Sequence, residues 1–196
     1  MREEAEKRIG HLYPKAKAYY DPSTKRHYTR EEVDSYWASN PTDSPPLYPK
    51  SSVLTAKELT VIAWLWARTV KSPNPAFAKV DVPLASTFIL STKPGREAYI
   101  VPVIEDGEYQ FSVKVGTPKD AEAAKRGTTA TRWNAFRCLM SNEPIPYDYI
   151  RKEGVDGRMS SRLMAVVAEG SRERVYLPPT CGMETTGLGA RREWGA

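Results

Sequence analysis

The stretch Leu59-Thr60-Val61-Ile62-Ala63-Trp64-Leu65-Trp66-Ala67-Arg68-Thr69-Val70-Lys71 is the most apolar in the chain, and Ser72-Pro73-Asn74-Pro75 follows it at once. Read at period two, Ile62, Trp64, Trp66, Arg68 and Val70 fall on one side, and Leu59, Val61, Ala63, Leu65 and Ala67 on the other. A strand that is apolar on both faces belongs inside a sheet. A helix is the rival reading, because Ala, Leu and Trp tolerate either state. The β-branched residues near both ends and the proline stop favour the strand.

C-terminal to this strand, Val82 to Ser91 reads as a second one, with Pro83 tolerable only near its start or on an edge. Glu97 to Glu105 and Glu108 to Gly116 are alternating runs joined by Asp106-Gly107, which predicts a hairpin with a two-residue turn. Pro118 to Arg126 has Pro at a helix start, acids early, bases late and Gly127 as stop, so a short exposed helix is expected there. Thr128 to Thr131 reads as a polar loop leading to the apolar residues Trp133, Phe136, Cys138, Leu139 and Met140, closed by Pro144 and Pro146. Tyr147 to Glu153 reads as a helical turn ending at Gly154. Leu163 to Ala168 and Arg174 to Leu177 flank Glu169-Gly170-Ser171-Arg172 as a second hairpin.

Towards the N-terminus the character changes. Residues 2 to 13 form a weakly amphipathic pattern that ends before Pro14, a helix that opens abruptly, as though cut from something longer. From Ala18 to Lys57, tyrosines alternate with polar residues before Pro41, Pro45, Pro46 and Pro49, which reads as a linker. Inside it Thr29-Arg30-Glu31-Glu32 has the form of a capping box for a short helix over residues 30 to 38, whose aromatic residues would dock on the main domain. The expected organisation is thus an N-terminal helix over 1–14, a Pro/Tyr-rich linker over 15–57, a β-rich domain over 58–178 and a disordered tail over 179–196. It belongs to the α+β class, with an antiparallel sheet, hairpins and short helices.

At 196 residues, with 40% hydrophobic and 27% charged, the chain is long enough to build a core without staples. A net charge of +5 leans towards an anionic partner. Two cysteines, Cys138 and Cys181, argue against a disulfide framework and point to a reducing compartment, the cytoplasm. No run reaches membrane-spanning length, and Met1 to Lys7 holds no signal-peptide core.

No nucleophile and base constellation is visible. The only histidines, His11 and His27, sit in polar surroundings and read as surface residues. Neither Gly-x-x-x-x-Gly-Lys nor Gly-x-Gly-x-x-Gly occurs, which excludes those phosphate-binding loops. More informative are two turn-like segments, Ser72-Pro73-Asn74-Pro75-Ala76-Phe77 and Cys138-Leu139-Met140-Ser141-Asn142-Glu143-Pro144, which have the shape of zinc knuckles without the ligands.

At this point the chain resembles a known family. The words Glu4-Ala5-Glu6-Lys7-Arg8-Ile9-Gly10-His11-Leu12-Tyr13-Pro14, Thr60-Val61-Ile62-Ala63-Trp64-Leu65-Trp66-Ala67-Arg68-Thr69-Val70, Pro83-Leu84-Ala85-Ser86-Thr87-Phe88 and Met164-Ala165-Val166-Val167-Ala168-Glu169-Gly170 are similar to the middle region of the adenine-specific DNA methylases that contain a zinc ribbon. The resemblance covers residues 2 to 14 and about 58 to 178. It implies that Ser72, Phe77, Cys138 and Ser141 stand where members of that family carry cysteines, in a C-x4-C and a C-x2-C knuckle. Ser and Phe cannot replace thiolates in a tetrahedral zinc site, so the ribbon is expected to be degenerate and metal-free, held by apolar contacts, with Phe77 filling the old site. Cys138 then reads as a small buried residue in preference to a reactive thiol.

The resemblance also implies S-adenosylmethionine as the parent family's cofactor and restriction-modification as its setting. The family's Asp-Pro-Pro-Tyr motif and its cofactor-holding loop are absent, and Tyr20-Asp21-Pro22-Ser23 reads as a turn. No cofactor and no methyl transfer are expected of this chain alone. What remains is an accessory role, positioning DNA or bracing a catalytic domain, as a fragment or a truncated product. Candidate phosphate contacts are Arg68, Lys71, Lys93, Arg96, Lys114, Arg132, Arg137, Arg151, Lys152 and Arg158, with Trp133 and Phe136 as stacking groups. The alternatives are a protein-interaction module that docks on a separate methylase core, and a remnant without function. An independent enzyme is disfavoured by the lack of acid and base partners.

Overall fold

The computed structural model describes residues 4, 15–21, 26–29, 33–34, 38, 55–105, 107–130, 135–170 and 174–193. In chain order its elements are β1 (Lys15–Asp21), β2 (Arg26–Tyr28), β3 (Thr55–Lys71), a single 3-10 turn (Pro75–Phe77), β4 (Asp81–Leu84), β5 (Ile89–Ser91), β6 (Ala98–Glu105), β7 (Glu108–Val115), α1 (Ala121–Arg126), β8 (Thr129–Ala130), β9 (Ala135–Arg137), β10 (Pro144–Pro146), α2 (Tyr147–Val155), β11 (Ser160–Glu169), β12 (Arg174–Leu177) and α3 (Cys181–Glu193). All the registered strand pairs are antiparallel, and the fold is a β-rich member of the α+β class.

The chain divides into two compact units, one of residues 1–63 with 166–177 and the other of 64–165 with 178–196. Strands β3 and β11 run through both, so the break falls within secondary structure and not at the expected boundary near residue 58. In the first unit the sheet follows the order β12-β11-β3-β1-β2, which makes β3 an inner strand, as its two apolar faces predict. The expected linker does not hold over residues 15–21. Lys15 to Tyr20 pair with Thr60 back to Thr55, and Ala16 and Ala18 are buried. The physical reason is that buried Ala16 and Ala18 alternate with exposed Lys15 and Lys17, a period-two pattern that becomes strand once the start of β3 offers its free edge. His27 is no isolated surface residue either: it lies opposite Tyr20 across the β1–β2 pair, ring centroids 4.9 Å apart.

Val33 N–H donates to the Thr29 carbonyl at 3.3 Å, and Val33, Asp34 and Ala38 are helical, within the stretch expected to be a short helix; Arg30, Glu31 and Glu32 of the capping box lie outside the described residues. Of the N-terminal helix only Glu4 is described, and it is helical; the rest of 1–14, like Tyr36 and Trp37, lies outside the described residues.

In the second unit the expected strand Val82–Ser91 is broken in two. β4 pairs with the end of β3, whereas β5 pairs with β6, so the chain changes sheets between Leu84 and Ile89. Thr128 anchors that change: its buried hydroxyl donates to the Pro83 carbonyl at 2.8 Å and accepts from Ala85 N–H at 2.9 Å. The expected polar loop there is therefore partly a buried clamp followed by β8. Gly127 makes the clamp possible. Its φ is +58°, and a Cβ would stand 2.4 Å from the Ala85 carbonyl oxygen, closer than any side chain tolerates.

The β6–β7 hairpin turns in two residues, with Glu105 opposite Glu108. Helix α1 begins later than Pro118, at Ala121, because Asp120 accepts the Ala123 N–H as N-cap. Helix α2 runs past Gly154 to Val155 and is closed by Asp156 and Gly157, the latter with φ +68°. β11 and β12 pair as the second hairpin, Glu169 opposite Arg174.

The expected disordered tail is corrected most clearly, since residues 181–193 form α3. A Cβ at Gly187 would lie 2.8 Å from Trp66 Cζ2 and 3.4 Å from Trp64 Cε3, so the helix backbone rests directly on the two indoles. Glu184 Oε1 also accepts the Leu163 N–H at 3.1 Å. Glycines lower helix propensity by about 1 kcal/mol each, which hides this helix from a local reading; tertiary packing on the tryptophans overrides it.

Candidate nucleic-acid interface

Ser72 follows β3, and its N–H donates to the Val80 carbonyl at 3.1 Å, closing a tight turn. Inside that turn Asn74 N–H donates to Ser72 Oγ at 3.3 Å, and Ala76 N–H to Asn74 Oδ1 at 2.9 Å. The second turn is built the same way. Cys138 N–H donates to the Glu143 carbonyl and Asn142 N–H to the Cys138 carbonyl, each at 2.9 Å. Asn142 adopts φ +61°, a left-handed conformation that Asn tolerates better than most side chains.

The two turns meet. Ser72 Oγ and Cys138 Sγ are 3.7 Å apart across 66 positions of sequence, and both are buried. Burial pushes the Cys138 thiol up, but hydrogen bonds from the Ser141 hydroxyl, from the Ser141 and Met140 backbone and from Ser72 outweigh it, and the thiol lies below its ordinary value. At 1% exposure it is a buried residue, as the sequence reading has it.

Three of the four knuckle positions thus gather around one sulfur. Phe77 does not fill the site: it is half-buried, and the cluster around Cys138 is made of Val70, Val82 and Ile145, with Leu84, Met140, Tyr149, Ile150 and Met159 packed against it. Most of these side chains stand on β3, β4, β10 and α2, the elements that frame the cluster. One thiol, two hydroxyls and a phenyl ring do not fit a zinc ion, and among the described residues no group of three His, Cys, Asp or Glu is placed to hold any metal.

The candidate cations sort by what already holds them. Lys71 is bound to Asp81 Oδ2 at 3.0 Å and to the Lys79 carbonyl. Arg158 grips the buried carboxylate of Glu153 through Nε, at 3.1 Å to each oxygen, and reaches Asp156 at 2.7 Å. It closes the end of α2, with its own side chain half-exposed. Arg151 pairs loosely with Asp148 at 3.6 Å, both exposed, and Arg137 donates to Asn142 Oδ1 at 3.0 Å. Arg68, Lys93, Lys114 and Lys152 are exposed, and among the described residues no ion pair engages them. Lys93 and Arg96 flank the turn between β5 and β6, and Lys114 lies at the same end of that sheet, opposite Tyr99. Arg132 and Trp133 lie outside the described residues, and Phe136 packs edge-on against Tyr147 at 5.7 Å.

Asn142, Thr128 and Tyr149, whose hydroxyl donates to the Lys71 carbonyl at 3.1 Å, shape the region without having been singled out from sequence. Only Asn142 carries a local signal, as a residue suited to positive φ directly after the knuckle. Among the described residues no helix is long and apolar enough to cross a membrane. No family model, curated protein or solved structure matches the chain.

Proposed function

We propose that this chain is an accessory, noncatalytic region of an adenine-specific DNA methyltransferase system of the cytoplasm, in which a zinc-ribbon framework without its metal helps to hold DNA for a separate catalytic core. The observation that carries the reading is the meeting of Ser72 with Cys138 at 3.7 Å, because the family resemblance requires those two distant positions to converge. Arg68, Lys93, Lys114 and Lys152, exposed and in no ion pair among the described residues, support it, as does the net charge of +5. An enzyme that extrudes a base from the duplex needs auxiliary surface on the backbone, and phosphate contacts supply position without reading sequence.

Fluorescence anisotropy of the purified chain with a labelled duplex at low and at physiological salt tests this. The expected result is binding that weakens steeply with salt, with Lys152→Gln lowering the slope of log affinity against log salt by about 0.9 if that lysine contacts a phosphate. Absence of duplex binding even at low salt would remove DNA positioning and leave docking on a methylase core as the reading to pursue by co-elution.

A further inference from the structure

Helix α3 is longer than α1 and α2 and less anchored than either. α1 has six residues and buries Ala124, and α2 has nine and buries Glu153, whereas α3 has thirteen and across residues 181–188 none is buried. Met183, Glu184 and Gly187 are half-buried there, and Leu188 is 42% exposed. Its own sequence does not hold it either. Gly182, Gly187 and Gly189 disfavour helix, and Thr185 and Thr186 turn their hydroxyls back on the Cys181 and Gly182 carbonyls, at 3.0 and 2.9 Å, bonds that weaken a helix slightly. Even alanine-rich helices of about 12 to 15 residues are marginal alone in water, so this one exists only while it is docked.

What docks it is small and local. Gly187 lies so close to the indoles that a Cβ would stand 2.8 Å from Trp66 Cζ2, and three residues earlier Glu184 Oε1 accepts the Leu163 N–H at 3.1 Å. Positions three apart share one side of a helix, so the two contacts break together. The start of the helix is fixed by Thr180, whose hydroxyl accepts from Met183 N–H at 3.3 Å and whose carbonyl accepts from Glu184 N–H at 3.0 Å. Ahead of it Pro178-Pro179 have fixed φ and no N–H with which to extend β12. The segment thus has a stiff root, a body with little helical preference and one patch of attachment. The β6–β7 hairpin of the same unit differs, because it buries Ala98, Ile100, Tyr109, Phe111 and Val113 at 5% exposure or less. Elements with few buried apolar groups open at lower free energy than elements with many.

We propose that α3 is a releasable strap: it leaves Trp64, Trp66 and the Leu163 N–H as one unit and melts as it leaves, while the β5-β6-β7 sheet stays folded. Access to the two indoles is then set by the strap's own equilibrium. The inference is independent of the DNA-positioning reading.

Hydrogen exchange of the full chain, resolved to single amides, tests this for the wild type and for Gly187→Leu, Glu184→Gln and Thr186→Ala. In the wild type the α3 amides from Glu184 onward should share one opening equilibrium, at least about 10-fold more open than that of the β6–β7 hairpin. Gly187→Leu raises helix propensity but places a side chain where the indoles stand, so it should speed α3 exchange by roughly 10-fold. Glu184→Gln keeps an acceptor for Leu163 and loses its charge, and should speed exchange by roughly 2- to 10-fold. Thr186→Ala, at an exposed position, should slow it by up to roughly 3-fold. The hairpin amides should not change in any variant. Protection of α3 equal to that of the hairpin would overturn the strap, as would a gradient rising from Glu184 to Glu193, which is fraying from one end. Slower exchange in Gly187→Leu would overturn it too, by showing that propensity and not docking holds the helix.

Discussion

The three-stranded sheet and the knuckle region lie in the same unit but are held by different forces. In the sheet, Phe88, Tyr109 and Phe111 are buried side by side, with Phe111 centroids 6.3 Å from Phe88 and 5.4 Å from Tyr109. Tyr109 satisfies its hydroxyl on the Asp81 carbonyl and stays protonated, because burial pushes its phenol well up. Around the knuckles the buried side chains are smaller, Val70, Val82, Cys138 and Ile145, and the turns are fixed by hydrogen bonds to Ser72, Asn74 and Ser141. Apolar burial is additive and undirected, whereas each knuckle bond depends on one donor and one acceptor. A region of the first kind answers to lost volume, and one of the second kind to lost polar partners.

That contrast can be broken most directly at Phe111. Phe111→Ala should destabilise the chain by about 3 to 5 kcal/mol, through lost burial and the cavity left between Phe88 and Tyr109. Urea unfolding measures it, and a cost below about 1 kcal/mol would mean that the rings do not carry the sheet.

A smaller effect is expected at the knuckle. Ser141→Ala should cost about 0.5 to 1.5 kcal/mol and raise the Cys138 thiol, since it removes the foremost of the hydrogen bonds that lower it. A thiol depressed by folding contributes stability above its unfolded value, near 8.5, and loses it as pH falls through the folded one. The stability gap between wild type and variant should therefore widen towards alkaline pH. Thiolate absorbance followed against pH gives the titration directly, and an unmoved midpoint would show that Ser141 does not solvate the sulfur.

The smallest effect belongs to Glu153, whose carboxyl is held below the usual carboxylate range by the hydrogen bonds from Arg158, against the opposing pull of burial. Its contribution is complete above the unfolded carboxylate value, about 4.3, and is lost as pH falls through the folded one. Wild type should then be more stable than Glu153→Gln at neutral pH and approach it below about pH 4. Half-exposed Arg158 screens the pair, so the difference stays small. A gap that is constant from pH 7 to pH 3 would show that the carboxylate charge plays no part.

Local pattern carried far in some segments. The double-sided apolar run at Leu59–Lys71 marked an inner strand, Asp106-Gly107 marked the turn between β6 and β7, and Gly127 marked the end of α1, because period, turn chemistry and caps are properties of neighbours in the chain. The burial of Cys138 was legible as well. What residues 15–21 pair with was not, since their short alternation becomes a strand only where β3 leaves an edge free. The glycine-bearing segment 181–193 reads as disorder until Trp64 and Trp66 supply a surface on which its backbone can rest. The candidate cations looked alike in the sequence; only the fold set Arg158 on Glu153 and Lys71 on Asp81 while leaving Lys93, Lys114 and Lys152 to solvent. Periodicity tells which face of an element is apolar, but which partner covers that face, and which charge meets which, is decided by groups tens of residues away that come together only when the chain folds.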